Sequence, residues 1–280
     1  MSVVAKSEND DFLWRLTSPD MSEVWQSIQS NLDAIPLSMI LQGISQTTRQ
    51  LQHAVSLHNQ SVTLNPDGRN ALKRLRSFRR WLPAIEQQMP FERLIMFLSA
   101  LIEMDDDIDD QVHALGLSLP MLPKEAAHDI ALEFLHFHSP KRYPLASQWI
   151  YSWKTGTGAL PYLLEFTNEW GQNGTDRFQA FGAGYKDLFN RLQRLDQVLQ
   201  EVQLHRWGMY SNDIILAYIY TDYLYKMYFT TSKSVFSTIP TVLGVMSYLL
   251  GLAIPKEAVP TGIPVESQNS EAFEELGPWR

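Results

Sequence analysis

The sequence predicts an all-α fold: a single helical-bundle domain of about seven to ten helices, with long heptad-patterned helices among them. Three observations predict it. Apolar residues recur at three- and four-residue intervals along most of the chain. Prolines and glycines end these stretches at places such as Pro36 and Gly116. No stretch shows the period-two alternation of a half-buried strand. Of the 280 residues, 45% are hydrophobic, enough for a core without metals or staples.

The pattern divides the chain into an N-terminus without core character (1–11), an all-α domain (12–255) and a C-terminal tail (256–280). Asp20 with Glu23 resembles a capping box, and Val24, Trp25, Ile28 and Leu32 give the first helix its apolar face. The second helix, 37–59, carries Leu37, Leu41, Ile44, Thr48, Leu51, Val55 and His58. Their 4-3-4-3-4-3 spacing is a heptad seam. Asn65-Pro66-Asp67-Gly68 reads as a turn, because Pro fixes φ and Gly accepts a positive one. A third helix over 69–88 buries Leu72, Leu75, Phe78, Leu82 and Ile85, with a kink expected at Pro83. Arg69, Lys73, Arg74, Arg76, Arg79 and Arg80 fill its other face.

Pro90 suits the first turn of a fourth helix, predicted over 90–115, and a shorter helix follows Pro123 to about His138. The stretch 139–174 is broken by prolines and glycines and leaves room for two short helices. The strongest pattern comes next. Phe178, Phe181, Tyr185, Leu188, Leu192, Leu195, Leu199 and Val202 repeat at 3-4 spacing, which predicts one helix over 175–206, about 48 Å long. The 212–229 segment is apolar or aromatic on nearly every side and is expected to be the central helix. Thr241–Ile254 is expected to be a buried core helix. It rises only about 21 Å, short of a bilayer core of about 30 Å.

Composition narrows the function. With no cysteine there are no disulfides, thiolate catalysis or cysteine-ligated clusters, and a reducing, cytoplasmic setting is expected. A net charge of −8 argues against a nucleic-acid surface, and the acidic start Glu8, Asp10 and Asp11 is not a signal peptide. A membrane partner is not expected either.

The acidic run Glu103–Asp110 holds six carboxylates in eight positions. Like charges at i,i+4 repel on a helix, and a carboxylate on the buried stripe needs a partner. Three readings follow. The run pairs with the basic third helix; or Asp105, Asp106 and Asp109 hold a divalent metal; or carboxylate–histidine pairs such as Asp109/His113, Glu125/His128, Glu133/His136 and Glu201/His205 build a metal site in the bundle core. The segment Asp105-Asp106-Asp107-Ile108-Asp109 resembles the aspartate-rich motif of class I isoprenoid synthases. That resemblance implies magnesium, a hydrophobic diphosphate substrate and a pocket shaped by the aromatics Tyr218–Tyr228. The second metal motif of that family would fall at Asn212-Asp213, where Leu216 and Tyr220 stand in place of its hydroxyl and carboxylate ligands.

Residues 255–270 have linker composition, and Phe273, Leu276 and Trp279 follow at three-residue spacing. A short amphipathic segment behind a linker is the form of a docking peptide, so these three are candidate partner-binding residues. The seams and the tail together predict a non-enzymatic helical adaptor or assembly protein, with a protein partner or self-association and no cofactor. A magnesium-dependent enzyme is the alternative.

Overall fold

The computed structural model describes residues 12, 15–60, 66–104, 107–165, 184–226 and 241–252. Eleven α-helices lie among them: α1 (Pro19–Asp33), α2 (Leu37–Gln60), α3 (Pro66–Arg74), α4 (Arg76–Gln88), α5 (Phe91–Glu103), α6 (Ile108–Ser118), α7 (Lys124–His138), α8 (Ala159–Glu165), α9 (Tyr185–Glu201), α10 (Ser211–Leu224) and α11 (Val242–Leu249). A 3-10 turn, Gly208–Tyr210, leads into α10. The described residues contain no strand; a lone bridge joins Ser152 and Thr157. None of their helices is long and apolar enough to cross a membrane.

The all-α expectation holds, and α2 and α7 fall where the spacing put them. Buried Leu37, Ile44, Thr48, Leu51 and Val55 keep the α2 seam turned inward. The helix count exceeds the expected seven to ten, since two predicted helices are each divided. The 69–88 helix breaks at Leu75, whose backbone is extended (φ −73°, ψ 132°). The 90–115 helix stops at Glu103 and restarts at Ile108, with Met104 and Asp107 extended. The acidic run is therefore a helix junction rather than a helix face. Pro66 begins α3, where its missing N–H costs nothing, so the predicted turn at 65–68 runs into a first helical turn. At the first helix the N-cap is Ser18 rather than Asp20, with Pro19 in the first turn and no side-chain cap bond.

Two further elements are shorter than predicted. The helix expected over 175–206 has its N-cap at Gly184 and ends at Glu201. Its 17 residues span about 25 Å, an ordinary length for a bundle. Helix α11 ends at Leu249, because Gly251 takes φ +71° and the chain turns back through Leu252 N–H to Ser247 O at 2.8 Å.

One continuous hydrophobic cluster runs through all of these helices. Two helices share its centre, where the sequence suggested one. Helix α7 packs against α2, α4, α5 and α6, and it buries Ala126, Ala127 and every residue from 130 to 137. Helix α10 packs against α8, α9 and α11 and buries eleven of its fourteen residues.

Candidate functional site

Helix α7 buries ten of its fifteen residues, and Asp129, Glu133 and His136 lie along one side of it at helical spacing. Each does a separate job. Glu133 is buried, and its carboxylate sits on the first turn of α4. Oε1 accepts from Arg76 N–H at 2.7 Å, and Oε2 accepts from Ser77 N–H at 2.7 Å and from the Ser77 hydroxyl. Those backbone donors have no partner within α4, and the helix dipole favours an anion there. A side chain from α7 thus starts α4 after the Leu75 break.

His136 joins α7 to α10. Its Nδ1–H donates to Tyr143 O at 2.8 Å, and Nε2 lies 3.1 Å from Asp213 Oδ2. Both side chains are buried, and the Nε2–Oδ2 contact is an ion pair without the alignment of a good hydrogen bond. Burial is the largest influence and lowers the imidazole pKa, but the Asp213 carboxylate, the Tyr143 carbonyl and Glu133 together outweigh it and the net shift is upward. Asp129 accepts from Gln148 Nε2 at 3.1 Å. It keeps partial exposure, yet the protein atoms crowded round its carboxyl raise its pKa to about 7 against the pull of Arg76.

Beside this seam, α2, the α3–α4 junction and α11 enclose a pocket of about 510 Å³. Its apolar lining comes from Met39, Leu243 and Leu252, and its polar lining from Gln42, Gln46, Thr47 and Ser247. Lys73, Arg74 and Arg79 supply three cations. The Leu75 break puts them there: Lys73 and Arg74 end α3, and Arg79 sits one turn into α4. Arg79 braces the wall, donating from Nε to Lys73 O (3.2 Å) and from Nη2 to Arg74 O (3.3 Å) and Gly251 O (2.8 Å). Gly251 has to be glycine twice over. Its φ is positive, and a Cβ would meet Arg74 O at 3.1 Å and Arg76 N at 3.2 Å. Among the described residues, no carboxylate lies within ion-pair distance of Lys73, Arg74 or Arg79, whereas Arg69, Lys186, Arg191, Arg206 and Lys226 all have one.

The sequence-predicted metal ligands do not assemble among the described residues. Asp105 and Asp106 lie outside them. Asp109 turns to α9, where Oδ1 accepts from Tyr185 N–H at 2.7 Å and Oδ2 from Lys186 N–H at 3.2 Å. Asp107 caps its own helix through Asp109 N–H (3.2 Å) and pairs with Lys186 Nζ (2.5 Å), which lowers its pKa. Of the acidic run, Asp107 and Asp109 thus contact α9 rather than the basic helix, and Arg69 pairs with Glu86. Arg76 and Arg80 lie over the rings of Tyr248 and Trp81.

None of the four carboxylate–histidine pairs forms as such. His136 meets Asp213, His205 meets Asp196 at 3.0 Å, and His128 Nδ1 meets the Tyr185 hydroxyl at 2.9 Å. No group of three or more metal-type ligands occurs among the described residues. Asn212 donates to Leu192 O at 2.8 Å inside the core, and Leu216 and Tyr220 are buried. The aromatics of α10 pack on one another and on α8, with Tyr220–Tyr223 stacked at 5.6 Å and Tyr162–Tyr223 at 5.2 Å, so among the described residues they do not line the pocket. Phe273, Leu276 and Trp279 lie outside the described residues.

Sequence reading missed the pocket, because its cations are divided between two helices that the apolar spacing joined into one. It also missed the Asp129–Glu133–His136 stripe, whose signal was three ionisable residues at 4-3 spacing in a largely buried helix. No family model, curated protein or solved structure matches the chain.

Proposed function

We propose that the protein is a helical docking adaptor that holds an acidic, partly apolar segment of a protein partner in the pocket between α2, the α3–α4 junction and α11. One observation carries this reading: in a chain of net charge −8, three cations with no carboxylate within ion-pair distance among the described residues line a pocket together with Met39, Leu243 and Leu252. Such a lining takes an aliphatic or aromatic side chain, and the rim cations take flanking carboxylates. The volume of about 510 Å³ suits two or three side chains rather than a whole domain face. Association thus rests on a pocket, since α9 is too short to be the long interface its spacing suggested. The absence of cysteine keeps the proposed setting cytoplasmic. The magnesium-enzyme alternative is less favoured, because both oxygens of Asp109 accept backbone N–H groups at the start of α9.

Fluorescence anisotropy with labelled acidic amphipathic peptides, titrated with the full chain up to about millimolar concentration, tests the reading. The expected result is saturable binding that weakens as salt rises. Lys73→Glu/Arg74→Glu should weaken it by about tenfold or more, since each rim pair contributes up to about 1 kcal/mol and reversal adds repulsion. Affinity unchanged by that double reversal, or a preference for basic peptides, refutes the proposal.

A further inference from the structure

We infer that the pocket is a docking site for the chain's own C-terminal segment 271–279, which occupies it until a partner segment displaces it. The inference rests on the docking reading and names its resident occupant.

The segment has the chemistry the pocket asks for. Phe273, Leu276 and Trp279 repeat at three-residue spacing, while Glu271, Glu274 and Glu275 supply three carboxylates. The pocket offers three cations, Lys73, Arg74 and Arg79, round Met39, Leu243 and Leu252. Apolar positions and charge number therefore match on the two sides. The segment is net negative, and among the described residues no carboxylate lies within ion-pair distance of the pocket's three cations.

The tether favours the same assignment. Leu252 is itself part of the pocket wall, so the connection to Glu271 starts at the site. The intervening stretch holds Pro255, Pro260, Gly262 and Pro264 and has linker composition. A coil of that length has a root-mean-square span of about 20–25 Å, and it has only to fold back on its origin. Tethers of this kind give an effective concentration of the order of millimolar. A contact too weak to detect between separate molecules is then largely formed within one chain. A partner must compete with it, which sets a threshold on docking.

The absence of cysteine provides a clean test in the full chain. Gln46, exposed on the pocket rim, is changed to Cys together with Ala272→Cys, and intramolecular disulfide formation under mild oxidation is followed on non-reducing gels at high dilution. Glu23→Cys with Ala272→Cys, an exposed α1 site away from the pocket, is the control. Gln42→Cys, also on the rim, replaces Gln46→Cys if that variant unfolds. The expected cross-link forms about tenfold faster than the control and falls to the control rate with Lys73→Glu/Arg74→Glu. Equal rates for pocket and control, or bridges between chains only, overturn the proposal.

A second arm separates this failure from failure of the docking reading. An unrelated acidic amphipathic peptide is titrated into the wild-type chain and into full-length Phe273→Ala/Leu276→Ala/Trp279→Ala. Several-fold tighter binding to the substituted chain supports the resident segment. Equal binding to both, still lost on Lys73→Glu/Arg74→Glu, leaves the docking site standing and removes its resident. No binding to either chain removes both.

Discussion

Changing Glu133 to Gln alters one charge and one acceptor while preserving size, so its effect measures the contact between α7 and the start of α4. The carboxylate accepts from two backbone N–H groups and one hydroxyl, and the side chain is buried. An amide has a single oxygen. Whichever way it turns, one former donor of α4 faces an NH₂ group and loses its partner. An unsatisfied buried donor costs about 1–3 kcal/mol, and the lost charge at a helix N-terminus removes about 0.3–1 kcal/mol more. The expected destabilisation is about 1.3–4 kcal/mol, large against the ~5–15 kcal/mol that holds an ordinary domain. Urea titration followed by circular dichroism measures it, read as a lower midpoint at unchanged slope. Ser77→Ala, which removes only the hydroxyl bond, should cost about 1 kcal/mol in the same assay. A loss below about 1 kcal/mol for Glu133→Gln would mean that α4 starts at Arg76 without help from α7, and the account of the Leu75 break would be wrong.

Two further predictions concern the other interior acids. Asp109→Asn should destabilise the protein by about 1–2 kcal/mol, because one oxygen cannot hold both the Tyr185 and Lys186 N–H groups. Millimolar magnesium should leave the melting temperature of the wild type unmoved, and a magnesium-dependent rise that the variant loses would restore the metal reading. Asp129→Asn should gain on the wild type as pH rises. The folded carboxyl holds its proton to about pH 7, against about 3.9 in the unfolded chain. Its stabilising contribution is thus full below about pH 4 and is lost as pH climbs through 7, with a slope of at most ~1.4 kcal/mol per pH unit. Urea midpoints of both proteins at pH 5 and pH 8 check the sign, and a constant difference between them refutes it.

The limits of sequence reading here have physical causes. Helix existence was legible wherever apolar spacing and local punctuation agreed, as in α2 and α7. Breaks were not legible where the spacing ran on through them. Leu72, Leu75 and Phe78 keep helical phase across the α3–α4 junction, and Leu101 and Ile108 are seven apart across the acidic junction. A chain break that preserves the phase leaves no mark on periodicity. At two helix starts the carboxylate that meets the backbone is far off in sequence: Glu133 on Arg76 and Ser77 at α4, and Asp109 on Tyr185 and Lys186 at α9. The acidic run was rightly singled out as needing partners, but helix starts were not weighed as the partners. Gly184, the N-cap of α9, falls inside the long seam without interrupting its 3-4 count.

The remote capping of α4 and α9 also bears on how the chain reaches its native state. Glu133 reaches back 57 residues to Arg76, and Asp109 reaches forward 76 residues to Tyr185. Neither helix start can complete its backbone bonding from local sequence, so each must wait for a long loop to close. The two N-termini are therefore expected to be among the last parts of the bundle to gain protection from hydrogen exchange during refolding. Variants at Glu133 or Asp109 should accordingly speed unfolding more than they slow folding.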